Sequence, residues 1–438
     1  MTDRSLVLGK YSIGTGDRFA HQAKAQLRAS MLALEAGIEV QPAWNKSNRE
    51  HSIIGSEPGS VRRAADAAVR ELGWDRPYFV DADHIGAKTV DRFLDACDFY
   101  TIDVADFIGQ KAEQSAIDAF IADYKSLLGP IRLEGAEDSF TITESDLRQT
   151  AAKFLTAVKT AGVVYRQIEL AKGMGNFIAE VSMDETDRAQ SPVELLVILA
   201  AIAGEGIPIQ TIAPKFSGQF NKGVDYVGVL KQFEREFALD VAAIAYAVNH
   251  FGLPGNLKLS IHSGSDKFSI YPAIHSTMKR FNVGVHLKTA GTTWLEELIG
   301  LAESGGDGLE LAKEIYCDAF ADRDELCAPY ATVIDIDARE LPSPETVRHW
   351  SGEEYAAAMR HNPTSPSYNK SFRQLLHVGF KVAAKKGSRY LSLLEENEKI
   401  IARNVTENLY QRHIMPVFLG AGEQLASAGS KAHIAAHK

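Results

Sequence analysis

The feature that most constrains this chain is an alternation: over its first 290 residues, short β-rich runs are separated by amphipathic helical stretches. Eight runs read as strands, at 5–13, 38–44, 78–82, 99–102, 177–181, 207–212, 257–261 and 283–287. Several are almost continuously apolar, the pattern of a strand covered on both faces. Between them, stretches such as 21–36, 60–72 and 230–249 repeat apolar residues with helical spacing. Strand–helix–strand alternation builds parallel βαβ units. Eight parallel strands close on themselves, so the expected fold class is α/β, a (β/α)8 TIM-type barrel.

Two segments break the repeat. Residues from about 109 to 162 exceed one connecting helix and predict an insertion after strand four. From about residue 300 the pattern turns helical, at 309–320, 353–360, 370–386 and 391–410, with a breaker at 362–366. The expected division is a barrel catalytic domain over 1–300, carrying its insertion, and a helical extension over 301–438. Both additions are lid candidates. The stretch 426–438 is rich in small and polar residues, and His433 and His437 read as tail residues rather than ligands.

Charge and cysteine usage narrow the partners. A net charge of −10 disfavours sequence-independent nucleic-acid binding, which needs a basic surface. The longest apolar stretch, 193–203, carries Glu194 and is too short to span a bilayer. No apolar run long enough for a signal peptide follows Met1. Cys97, Cys317 and Cys327 show neither zinc nor CxxC spacing and suit a reducing cytosol. The expectation is a cytoplasmic protein acting on a small molecule, with no nucleic-acid or membrane partner and with homo-oligomerisation as the default.

Barrel enzymes place their active sites at the C-terminal ends of the strands, and reactive side chains gather at those ends here. Strand one runs into Gly14-Thr15-Gly16-Asp17-Arg18, strand three ends in Asp81-Ala82-Asp83-His84, and strand four in Asp103-Val104-Ala105-Asp106. Strand five leads to Glu180 and the pair Asp184-Glu185, strand six to Lys215, strand seven to His262 with Asp266 and Lys267, and strand eight to His286 and Lys288. Each has a structural alternative. Asp17, Asp103 and Asp106 could cap helices, the histidines could be hydrogen-bonded core residues, and the lysines could be solvated charges. Three histidines at the strand ends of one barrel, beside carboxylates, favour a metal centre built on His84, His262 and His286. Imidazole and oxygen donors suit zinc, manganese, iron, cobalt or nickel alike. Lys215, Lys267 and Lys288 become candidate substrate anchors. The GTGD segment lacks the spacing of a dinucleotide fingerprint, and no Walker-type loop is present.

These segments resemble the tagaturonate epimerase family of hexuronate catabolism. The matching stretches are SIGTGDRF at 12–19, DADHIGAKTVDRF at 81–93, FYTIDVADFIG at 99–109 and AEVSMDE at 179–185. They continue with APKF and KGVDY within 213–226, LSIHSGSDKFSIYP at 259–272 and VHLKTAGTTWLE at 285–296. The DADH and IHSGSD segments are also similar, at greater distance, to class II metal-dependent aldolases. That pattern implies proton transfer by Asp83 and metal ligation by His84. Gln219 stands where the family pattern implies a glutamate ligand, and the chain starts almost at its first strand, where some members carry an extension.

The resemblance implies a metal-dependent isomerase interconverting D-tagaturonate and D-fructuronate by retro-aldol cleavage and re-addition. On that scheme His84, His262 and His286 hold the metal with Gln219 as fourth ligand, and Asp83 and Glu180 move protons. Asp17, Arg18, Lys215, Asp266, Lys267 and Lys288 meet the substrate, and Glu185 orients a histidine. The alternatives are an aldolase or epimerase for a neutral ketose or ketose phosphate, and a catalytically inactive sugar-binding protein.

Overall fold

The computed structural model describes residues 5–136, 139–289 and 291–420. His433 and His437 lie outside the described residues. In chain order the strands are β1 (Tyr11–Gly16), β2 (Gln41–Ser47), β3 (Phe79–Ile85), β4 (Phe99–Asp103), β5 (Gly129–Arg132), β6 (Ser139–Ile142), β7 (Ile178–Ser182), β8 (Thr211–Ala213), β9 (Lys258–His262) and β10 (Val285–Lys288). Eight of them close a parallel barrel in the order β1-β10-β9-β8-β7-β4-β3-β2. β5 and β6 form a separate antiparallel hairpin. The (β/α)8 expectation therefore holds.

Every barrel strand ends one to three residues beyond its apolar run. The reason is the two-residue period of a strand. Outward positions such as Val80, Ala82, Tyr100, Ile102, Ala179 and Val181 pack into the main core between sheet and helices. Inward positions on the same strands turn polar halfway up, as in Phe79-Asp81-Asp83, Phe99-Thr101-Asp103 and Ile178-Glu180-Ser182. Those polar side chains interrupt the apolar run while the backbone continues in the sheet. The first expected strand errs at its other end. Leu8 closes the bottom of the barrel against Ala43, Phe79, Phe99 and Ile178, with Leu6 packed beside it. Gln210 holds this plug by accepting from the Leu8 N–H at 2.8 Å and donating to the Leu6 carbonyl at 2.9 Å.

Between β4 and β7 the chain forms the helix Gln114–Asp123, the β5–β6 hairpin and a 29-residue helix, Glu144–Lys172. Thr143 starts the long helix with a capping box closed by Asp146. After β10, the helices Thr292–Ser304 and Gly306–Ala321 lead into shorter helices that end in a π-helical segment, Asn408–Leu419. These pack onto the barrel through buried polar contacts as well as apolar ones. The Trp294 indole N–H donates to the Leu376 carbonyl at 2.7 Å, and Asn408 donates to Glu296 Oε1 at 2.9 Å.

Glu296 makes this docking pH-sensitive. Burial pushes its carboxyl up from 4.5 to about 7, against the field of Arg373 and Arg360. The folded chain thus keeps a proton that the unfolded chain releases between pH 4.5 and about 7, and stability falls as pH rises through that window. Glu296→Gln retains the acceptor for Asn408 and removes the titration. The variant is expected to be more stable than the wild type by about 2–3 kcal/mol at pH 8 and to match it near pH 4.5. Urea unfolding at both pH values checks this, and parallel stability curves would refute it.

Candidate active site

The upper half of the barrel interior is charged because the inward positions of β3, β4, β7, β9 and β10 carry Asp81, Asp83, Thr101, Glu180, His262 and Lys288. Gly14 on β1 leaves room for them. A Cβ there would stand 2.9 Å from the Lys288 side chain and from Asn45 Nδ2, and 3.2 Å from His286 Nε2.

Asp83 and His84 are consecutive, so a regular strand would send them to opposite faces. The register of β3 on β4 shifts between them: Ala82 pairs with Tyr100, and Ile85 with Ile102. His84 takes up the extra residue with φ of 50°, in the left-handed region. Such a bulge redirects a side chain at a cost of about 1–3 kcal/mol. Here it brings His84 Nδ1 to 3.0 Å from Asp83 Oδ1.

The redirected ring completes a triad. His84 Nε2 lies 3.5 Å, and His262 Nδ1 3.1 Å, from one oxygen of Asp184, and the ligand atoms of these three residues all fall within 4.8 Å of one another. Both nitrogens are buried and, among the described residues, make no hydrogen bond. The opposite nitrogen of each ring is held by a carboxylate, His84 Nδ1 by Asp83 and His262 Nε2 by Glu180 Oε1 at 2.8 Å. Ser182 donates to Asp184. Two imidazoles fixed from behind by carboxylates, with their free nitrogens turned toward a third carboxylate, form the arrangement that orients metal ligands. Burial would raise the Asp184 carboxyl, but His262 and His84 hold it well below the usual carboxylate range. Burial likewise opposes ionisation of Asp83 and Glu180, and it is outweighed by Lys288 with His84 for the first and by Lys288 with His262 for the second.

Lys288 supplies the balancing charge. Its ammonium lies 2.8 Å from Asp81, 2.7 Å from Asp83 and 3.4 Å from Glu180, and donates to Thr101 at 2.6 Å. It is buried beneath the mouth and engaged with three carboxylates, rather than standing free as an anchor.

The other expected residues scatter. His286 sits deeper, fully buried against the Phe99 ring with Nδ1 2.9 Å from Ser12 Oγ, and is not part of the triad. Gln219 is exposed on a loop and accepts from Asn221. Of the four expected ligands the structure thus brings together His84 and His262, and their third partner is Asp184. Asp17 caps the following turn, accepting from the backbone of His21 and Gln22. Lys215 donates to the Thr186 carbonyl. Lys267 is fully buried and donates to the carbonyls of Asn221 and Val224 at 3.0 and 2.7 Å, and burial pushes its ammonium down to about 7. Asp266, fully buried, ties the C-terminal helices to the barrel through Arg373 at 2.8 Å, His361 at 3.1 Å and His413 at 3.2 Å. Glu185 and Asp106 are exposed, and Asp103 accepts from the Ala105 N–H. Arg18, just past the end of β1, is buried with its Nε 3.1 Å from Glu50. Asp184 was visible in the sequence as a carboxylate just past strand five, but nothing local separates it from the adjacent Glu185.

A family model described as tagaturonate epimerase, UxaE, matches residues 3–416. A curated relative, the tagaturonate/fructuronate epimerase of Thermotoga maritima, is 28% identical over 426 residues, covering 92% of this chain and 80% of its own. The native crystal structure of fructuronate-tagaturonate epimerase UxaE from Cohnella laeviribosi superposes with a TM-score of 0.78 at 23% identity, over 94% of this chain and 82% of that one. A form of the same protein with two glycerols gives the same TM-score at 24% identity, over 94% and 83%. These two structures share the fold.

Proposed function

Because the chain belongs to the tagaturonate epimerase family, we propose that it interconverts D-tagaturonate and D-fructuronate by retro-aldol cleavage and re-addition. The observation that carries this reading is the pair of buried, unpartnered imidazole nitrogens converging on Asp184, each ring backed by a carboxylate. That donor set fits a divalent cation of the zinc, manganese, iron, cobalt or nickel type, which His84, Asp184 and His262 would hold. Such an ion supplies Lewis-acid polarisation of a ketone oxygen.

The two hexuronates differ at a carbinol carbon one position beyond the α carbon. The proton on that carbon is not acidified by the ketone, so enolisation alone leaves the centre unchanged. Breaking the bond between the two carbons inverts it. Asp83 is the proton acceptor in this scheme: Lys288 and His84 both occupy its Oδ1, and among the described residues no hydrogen bond engages Oδ2. Oδ2 takes the hydroxyl proton, the carbon–carbon bond opens to an enediolate and an aldehyde, and the aldehyde turns and re-adds through its other face. Asp83 then returns the proton. Glu180 fixes His262, and Lys288 keeps Glu180 and Asp83 ionised.

The setting we propose is the cytoplasm, consistent with three cysteines that are all free. Among the described residues no helix is long and apolar enough to cross a membrane. The direct test uses metal-stripped protein reloaded separately with zinc, manganese, cobalt and nickel, incubated with D-tagaturonate and resolved by chromatography. Metal-restored formation of D-fructuronate is expected. Conversion confined to neutral ketoses or ketose phosphates would replace the substrate, and silence on all of them would leave a sugar-binding protein.

A further inference from the structure

A second set of residues rings the same mouth and is cationic where the triad side is acidic. Arg18 follows β1, Lys222 lies in the loop after β8, and His377 comes from the helix Lys370–Val378 of the C-terminal extension. His377 is 2% exposed, yet among the described residues neither of its ring nitrogens has a hydrogen-bond partner. Its Nε2 packs so closely on the loops after β9 and β10 that a Cβ at Gly291 would stand 1.9 Å from it and 2.7 Å from the Gly264 carbonyl. Gly264 is two residues along the chain from His262, so His377 packs on the loop into which that triad residue leads.

Arg18 is equally short of partners. It is buried, with its guanidinium 4.5 Å over the Phe380 ring and Nε 3.1 Å from Glu50, but among the described residues neither Nε nor Nη1 makes a hydrogen bond. The Lys222 ammonium has no hydrogen bond or carboxylate among the described residues. It stands 5.4 Å over the Tyr330 ring, which Arg49 also faces at 5.2 Å. The acidic group whose field reaches Lys222 most strongly is Glu185, next to Asp184. Lys222 is only partly buried, but the buried groups of Arg18 and His377 cost free energy unless a ligand satisfies them.

We infer that Arg18, Lys222 and His377 form the seat of the substrate's 2-hydroxycarboxylate end and hold the aldehyde half while it turns. The inference rests on the proposed reaction. When the bond between the α carbon and the inverting carbon breaks, the ketone stays with the enediolate half and the carboxylate leaves with the aldehyde half. Atoms balance as a C–C bond broken and re-formed, with one proton lent to Asp83 and returned. The aldehyde half must rotate without escaping, so its grip has to lie at its far end, away from the triad. Arg18 and Lys222 supply charge for the carboxylate. Burial, Arg18 and Lys222 hold the His377 imidazole well below its usual range. The ring is therefore neutral and offers one N–H for the carboxylate and one acceptor for the neighbouring hydroxyl. The extension on this account completes the site.

Titration calorimetry with glycerate, which copies the carboxylate and adjacent hydroxyl of the aldehyde half, tests the seat. Wild-type protein is expected to bind it. Lys222→Met and His377→Gln should each weaken binding roughly 10–100-fold, the value of a charge-assisted hydrogen bond, while Asp184→Asn binds as the wild type does. On D-tagaturonate, Lys222→Met should raise KM and release detectable three-carbon fragments. The seat is overturned if the wild type ignores glycerate or if Lys222→Met binds it unchanged. If the glycerate pattern holds but no hexuronate is turned over, the proposed reaction falls and the seat stands.

Discussion

An Asp184→Asn enzyme is expected to bind divalent metal at least about a hundredfold more weakly than the wild type, and to lose nearly all turnover at metal concentrations that saturate the wild type. Asp184 is the one anionic member of the triad, and both unpartnered imidazole nitrogens converge on it. Asparagine keeps the shape and an oxygen for Ser182 but removes the charge. Changes in the groups behind metal ligands already cost 10–100-fold, by the general rule of about one to two powers of ten, so removing a ligand charge should exceed that range. Metal content after dialysis, measured by mass spectrometry, and activity titrated against added metal give the answer. A variant that retains wild-type metal affinity would show that the ion is held elsewhere.

Asp83→Asn should separate binding from chemistry. The amide oxygen can still accept from Lys288 and His84 in place of Oδ1, so the bulge and the orientation of His84 are preserved. What is lost is the basic Oδ2. The expected outcome is a fall in kcat of about 10²–10⁴-fold, the span of general acid–base loss, with metal affinity reduced by less than in Asp184→Asn. If metal is retained and turnover falls by less than about a hundredfold, Asp83 does not move the proton.

The two variants together test a distinction that the DADH segment alone does not draw. Two adjacent residues in a strand ordinarily serve opposite faces, and an aspartate followed by a histidine reads equally well as one functional residue and one packing residue. The slip of β3 against β4 and the positive φ of His84 put both into one site. Neither feature has a decisive local signature, since histidine enters the left-handed region more readily than most residues yet adopts ordinary strand geometry far more often. The same ambiguity hides the third member of the triad. Asp184 and Glu185 are neighbours past the end of β7, and only the direction of the chain there makes one half-buried against two histidines and leaves the other exposed.

Depth along the barrel axis was the other quantity hidden from a linear reading. His286 and His262 occupy comparable places at the ends of apolar runs, yet His286 faces Ser12 and Phe99 while His262 lies between Glu180 and Asp184. Lys288 and Lys267 read as mouth cations and are instead buried, one among carboxylates and one among carbonyl oxygens. In a tilted, staggered barrel the layer a residue joins depends on the register of all the strands, which no single strand encodes.

By itself, the sequence determined the eight-stranded barrel, the end at which chemistry gathers and the family. Apolar alternation sets which side of a strand each residue serves, and strand polarity sets which end of the barrel its loops share. Only the tertiary structure decided which of the gathered residues meet. The triad needs a one-residue bulge, the charge balance needs Lys288 beside residues 108 to 207 positions away, and Asp266 meets Arg373 across 107 positions. The His377 ring meets the loops after β9 and β10 only because the C-terminal helices fold back over them. Contacts at such separations follow from packing of the whole chain, where burial and hydrogen-bond satisfaction are settled jointly.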